Sequence, residues 1–283
     1  MSLTDPMKPA PKSKTEFPPR RVPERRSPDR QVSETEANAP IGRSALHLPA
    51  PLLAFGAHPD DVEFGCGGVI ARETRAGRAA HFVVCSRGEA GTHGTPQQRV
   101  AEAKKSAAIL GATVEFTELD GDARLEVLTA HAIKLAGILR RVRPSIVLAP
   151  SLVENQHPDH AKLGKIVRDA ARLARYGGLK ELRKSPPHAI DQLFYYAVTP
   201  EAEPRDISPV LIDVSAPGIV AMWIAAMEAH ISQASARNYV ELQIARARLS
   251  GLRAGISHAI ALFPNDPLVV DSLAQLSRSA RRF

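Results

Sequence analysis

From Pro51 onward, apolar positions fall into two alternating rhythms. Four short apolar runs have the length of buried strands: Leu52-Leu53-Ala54-Phe55 closed by Gly56, His81-Phe82-Val83-Val84-Cys85, Thr113-Val114-Glu115-Phe116 and Ser145-Ile146-Val147-Leu148-Ala149. Between and after them, Gly67 to Ala76, Thr95 to Leu110, Leu125 to Val142 and His160 to Ala174 carry the wider spacing of amphipathic helices. Gly77 and Gly111 stand where helices stop, and Pro96 suits a first turn. Strands alternating with helices predict parallel βαβ units with right-handed crossovers. Gln192 to Thr199 and Val210 to Val214 read as further strands, and Ile219 to Ala254 as mostly helix. In such a sheet the loops at the carboxyl ends of strands are expected to carry the chemistry. No internal repeat interrupts the pattern.

Residues 1–49 break from it. They hold 9 of the 23 prolines, with nine Lys/Arg against six Asp/Glu and little apolar periodicity. Such a segment cannot bury enough surface to offset the cost of ordering, so a disordered tail is expected, followed by a single domain over residues 50–283. The tail lacks the apolar centre of a secretory signal, and its acidic residues disfavour a transit peptide. The remaining charge balance is ordinary, so the net +7 does not call for nucleic acid. No run is long enough to span a membrane. Two cysteines, Cys66 and Cys85, form no disulfide framework and suit a reducing, cytoplasmic setting.

Two motifs change the picture. Ala57-His58-Pro59-Asp60-Asp61-Val62-Glu63 follows the first strand, and Gln156-His157-Pro158-Asp159-His160 follows the fourth. His58 and Asp61, three residues apart, can turn an imidazole and a carboxylate toward one point. A second imidazole from the other loop completes a three-donor set that leaves a position open on zinc. Spacing alone does not choose between His157 and His160. Asp60, beside the donors, is placed to take a proton. Glu63 is a candidate supporting residue. Cys66 reads as a buried small hydrophobe. The run Gly65-Cys66-Gly67-Gly68 raises a rival, a phosphate-binding helix start, but it is not a GxGxxG fingerprint and no Walker lysine follows.

At these residues the sequence resembles the LmbE-like, or PIG-L, family of N-acetylglucosaminyl deacetylases over roughly residues 50–283. The resemblance implies a Rossmann-like, mostly parallel α/β sheet flanked by helices. It implies His58, Asp61 and His160 as ligands of zinc, with iron as the alternative metal, Asp60 as general base, and His157 as an aid to the transition state. The stretch Gly88-Glu89-Ala90-Gly91-Thr92 with Arg99 and Glu102 matches further, implying a substrate contact for Arg99. Segments 227–233, containing His230, and 263–271 resemble the bacillithiol-pathway branch, which acts on N-acetylglucosaminyl malate; a pocket contact is expected of His230. The chain departs from the family at Asn155-Gln156 and at Gly121-Asp122-Ala123-Arg124. The implied activity is release of acetate from a small N-acetyl amino-sugar conjugate by metal-activated water, in a cytoplasmic protein whose relatives are often homo-oligomers. The alternative is a sugar-sensing relative that binds metal without catalysis.

Overall fold

Seven strands form one sheet in the computed structural model, which describes residues 49–154, 157–234, 238–276 and 279–280. The expected tail therefore lies outside the described residues, apart from Pro49. The strands are β1 (Leu52–Gly56), β2 (Ala80–Val84), β3 (Thr113–Phe116), β4 (Ile146–Pro150), β5 (Gln192–Tyr196), β6 (Val210–Asp213) and β7 (Ala259–Pro264). Their spatial order is β3-β2-β1-β4-β5-β7-β6. The first five pair in parallel, with Leu52 opposite Ala80 on one side and Ile146 on the other. β7 runs antiparallel to both β5 and β6. After β1 the chain builds outward through β2 and β3, then returns to place β4 on the opposite flank of β1. The loops after β1 and β4 thus diverge from neighbouring strands at the carboxyl edge, where such sheets open a crevice.

Helices cover both faces: α1 (Asp61–Arg75), α2 (Pro96–Ile109), α3 (Thr129–Val142), α4 (Pro158–Ala174), α5 (Pro217–Glu228), α6 (Ile231–Ala234) and α7 (Tyr239–Arg253). Because successive strand side chains alternate, β1 feeds two cores. Leu53 and Phe55 pack with Leu135 and Leu139 of α3 and Leu163 and Ile166 of α4. Leu52 and Ala54 point the other way, among Ile70 of α1, Phe82, Leu110 and Trp223 of α5. Burial on both faces explains why β1 reads as an unbroken apolar run rather than an alternating one.

Three departures from the expected elements have local causes. α1 begins at Asp61, six residues before the periodicity suggests, and carries a non-helical kink at Cys66. Its glycines serve close packing. A Cβ at Gly65 would sit 2.1 Å from the Tyr196 ring and one at Gly67 2.7 Å from Trp223. All four residues of Gly65-Cys66-Gly67-Gly68 are buried within the helix, which removes the phosphate-loop reading. α3 starts at Thr129, because Leu125 enters the core from an extended segment and Leu128 is an exposed, extended N-cap. The helical stretch after Ile219 breaks around His230 into α5, α6 and α7. Among the described residues, no helix is long and apolar enough to cross a membrane.

Candidate metal centre

The loop after β1 turns into α1 through a strained residue. Asp60 has φ 131°, a region that side chains rarely adopt. Asp61 then folds back: its Oδ2 accepts from the backbone N–H of Ala57 at 2.8 Å and of His58 at 2.9 Å. That leaves Oδ1 free, 3.1 Å from His160 Nε2. His58 Nδ1 lies 3.3 Å from His160 Nε2 and 3.5 Å from Asp61 Oδ2. Donors around a four-coordinate cation with bonds of roughly 2.0–2.2 Å stand about 3.3–3.6 Å apart. His160 Nε2 therefore stands close to that spacing from both the free Asp61 Oδ1 and His58 Nδ1, and the nitrogen and carboxylate donors suit zinc or iron. Asp61 and His58 are almost fully buried; His160, at the start of α4, is partly exposed.

A second group adjoins the first through His58. Asp122, in the loop after β3, places Oδ1 3.0 Å from His58 Nε2 and 3.5 Å from His157 Nε2. Asp159 Oδ2 lies 3.5 Å from His58 Nε2 and accepts from the Ala123 N–H at 2.8 Å. The His157 and His58 rings meet edge to face, with centroids 4.2 Å apart. Among the described residues, these are the two groups able to hold a cation, and neither includes Cys66.

The electrostatics follow from this crowding. Burial opposes charge on Asp61, but His160 and His58 hold its carboxyl well below the usual range. Burial also disfavours a charged His58, yet Asp61, Asp122 and Asp159 together push its pKa well up. Asp60 behaves oppositely to its neighbour: burial, then the Asp61 charge, raise it to about 6 against the pull of Arg99. Three carboxylates around one imidazole make a setting that a cation would balance.

A cavity of about 340 Å³ opens onto these groups. Asp60, Asp61, His157 and His160 line one side, and Phe64, Thr92, Tyr239 and Gln243 line much of the rest. This volume is in the range of small-molecule sites. Arg99 reaches its edge but is 5% exposed, with its guanidinium committed to the first motif. It donates to Gly88 O at 3.1 Å, Pro59 O at 3.2 Å and Asp60 Oδ2 at 3.3 Å. His230, expected to contact the pocket, is fully buried and is not among the residues lining this cavity; its Nε2 lies 3.2 Å from Glu63 Oε1. Its neighbour Gln233 does line the cavity and donates to His93 O at 2.9 Å.

Sequence reasoning gave Asp122 and Asp159 no role. Asp159 stood inside the second motif. Asp122 had a positional signal: it follows a strand of the same parallel sheet, at the carboxyl edge.

The family model for PIG-L, GlcNAc-PI de-N-acetylase, matches residues 53–171, which contain both motifs. The chain is 32% identical over 166 residues to the diacetylchitobiose deacetylase of Thermococcus kodakarensis, covering 53% of this chain and 61% of that protein. It is 31% identical over 171 residues to the 4-oxalmesaconate hydratase of Pseudomonas putida, covering 54% and 66% respectively. The aligned stretch thus spans less than two thirds of either relative's length. The crystal structure of a conserved protein from Thermus thermophilus superposes with a TM-score of 0.68 at 30% identity, covering 78% of this chain and 97% of that one. With the motifs, the sheet order and these matches in agreement, the chain belongs to the PIG-L family.

Proposed function

We propose that this protein is a cation-dependent amide hydrolase that removes acetate from an N-acetylglucosamine conjugate. The observation that carries the reading is the grouping of His58, Asp61 and His160, with His160 Nε2 3.1 Å from Asp61 Oδ1 and 3.3 Å from His58 Nδ1, beside Asp60 at the wall of a small-molecule cavity. His58, Asp61 and His160 would hold zinc, or iron in its place, and the bound metal would supply Lewis acidity and a more acidic water. Asp60 takes the proton of the attacking water and returns it to the departing nitrogen. Its pKa of about 6 suits a group that must both accept and release a proton near neutrality. Arg99 holds the Asp60 carboxylate and the preceding carbonyl in place. His157, one-third exposed at the cavity wall, is the group available to favour negative charge on the acyl oxygen when protonated. Products are acetate and a free amine. The resemblance of segments 227–233 and 263–271 to the bacillithiol branch makes the malate conjugate one substrate to try.

The similarity to a hydratase supports a second reading, addition of water across a carbon–carbon double bond, because the same donor set and proton-transfer residue would serve it. The test is acetate release from a panel containing N-acetylglucosaminyl malate and diacetylchitobiose, with zinc-loaded, iron-loaded and chelated protein. Loss of absorbance from unsaturated dicarboxylates is followed in parallel. Metal-dependent acetate release is expected. Hydration alone would replace the hydrolase reading, and inertness of the metal-loaded, folded protein in both assays would favour a binding or sensing role.

A further inference from the structure

The two ends of the His58 ring face different partners. Nδ1 looks toward Asp61 and His160, while Nε2 lies 3.0 Å from Asp122 Oδ1. A neutral imidazole carries one ring proton, and an ionised carboxylate can only accept. The Asp122 carboxylate at 3.0 Å, with Asp159 Oδ2 behind it at 3.5 Å, therefore favours the proton on Nε2 and leaves a lone pair on Nδ1. His157 obeys the same logic by another route. Its Nδ1 accepts the Asp159 backbone N–H at 3.3 Å, so its proton belongs on Nε2, 3.5 Å from the same Asp122 oxygen. Asp122 is itself fixed. Its Oδ2 accepts the Ala90 N–H at 3.2 Å, its own N–H donates to Glu89 Oε1 at 2.8 Å, and the following residue, Ala123, takes a left-handed φ of 61°.

We infer that Asp122 is a positioning residue: its Oδ1 is shared by His58 and His157, holding both in the Nε2–H tautomer, so that His58 presents Nδ1 to the cation. The inference rests on the proposed cation site and deepens it, because it couples the first-motif donor to the second-motif histidine through a third loop. Without Asp122, the Nε2 end keeps only Asp159 Oδ2 at 3.5 Å, matched at the other end by Asp61 Oδ2 at 3.5 Å from Nδ1. The bias toward Nε2–H is then lost, and part of the population carries its proton on Nδ1, the atom that must be bare to bind metal.

The test uses the full chain with 15N-labelled histidine. In metal-free wild type, at a pH where its own titration shows the ring neutral, His58 is expected to give the Nε2–H pattern; Nδ1–H there would overturn the inference, whatever a variant does. In Asp122→Ala, with folding checked by near-UV circular dichroism, the pattern is expected to move toward Nδ1–H. Zinc affinity, read by chelator competition, should weaken about 10–100-fold, as for other partners of metal-bound histidines. An unchanged tautomer and an unchanged zinc affinity in the folded variant would refute the role. If wild type itself takes up neither zinc nor iron, the cation reading fails separately, and the tautomer measurement still decides what Asp122 does.

Discussion

The packing of Gly88 against Arg99 gives a prediction whose size can be worked out. Gly88 has φ +70°, and a Cβ there would lie 2.1 Å from Arg99 Nη1 and 2.3 Å from Cζ. Arg99→Met removes three long hydrogen bonds, to Gly88 O, Pro59 O and Asp60 Oδ2. At about 1 kcal/mol each, the expected loss of stability is roughly 3 kcal/mol. Gly88→Ala should cost about 1–2 kcal/mol for an L-residue in the left-handed region. It should also expel the guanidinium and so forfeit the same three bonds. In the double variant those bonds are lost only once, so its destabilisation should fall short of the sum of the singles by about 3 kcal/mol, a large coupling for two residues in contact. Urea unfolding of the four proteins measures this. Turnover should fall in all three variants, because Pro59 and Asp60 lose their common support. Additivity within about 0.5 kcal/mol would show that the glycine is not there to admit the arginine, and would remove the case for Arg99 as the support of Asp60.

Other outcomes follow from single sites. Asp60→Asn should retain metal yet lose about 10²–10⁴-fold in turnover, measured at saturating metal; full activity would refute its proton-transfer role. Arg140 is buried and donates to the carbonyls of Ala174, Tyr176, Leu182 and Ser185. Arg140→Met strands these acceptors, so it should cost about 3–5 kcal/mol in urea unfolding while metal binding by the folded protein is unaffected. Burial disfavours the charged form of His230, but Glu63 beside it outweighs this and raises its pKa above the usual 6.5. With the folded value raised, its stabilising contribution is complete below about pH 6.5 and is lost as the pH climbs through the folded value. The gap in urea midpoint between wild type and His230→Gln should therefore narrow from mildly acidic to alkaline pH, and a gap that widened would contradict the ion pair.

What the sequence disclosed, and what it withheld, divides along the distance over which residues interact. β3 was legible to the residue, and β1, β2 and β4 to within a residue or so, because a strand buried on both faces is a local apolar run. The grouping of the proposed donors was legible because His58 and Asp61 share one turn and His160 stands two residues into α4, each set beside a strand end. Pairing is different. Nothing local marks β7 as the strand that slips between β5 and β6 in antiparallel sense; its partners, Phe194 and Leu211, lie some way back along the chain. His230 and Arg99 illustrate the same limit in the site. Motif position placed both near the chemistry, but only the packed structure shows His230 turned to Glu63 behind the cavity wall and Arg99 spent on main-chain carbonyls. Asp122 is the sharpest case, since its partners His58 and His157 come from two other loops and its role exists only once β3, β1 and β4 stand in order in one sheet. A motif fixes which atoms can meet a metal. The loop from a third strand settles which end of the imidazole carries the proton, and so whether those atoms are free to bind.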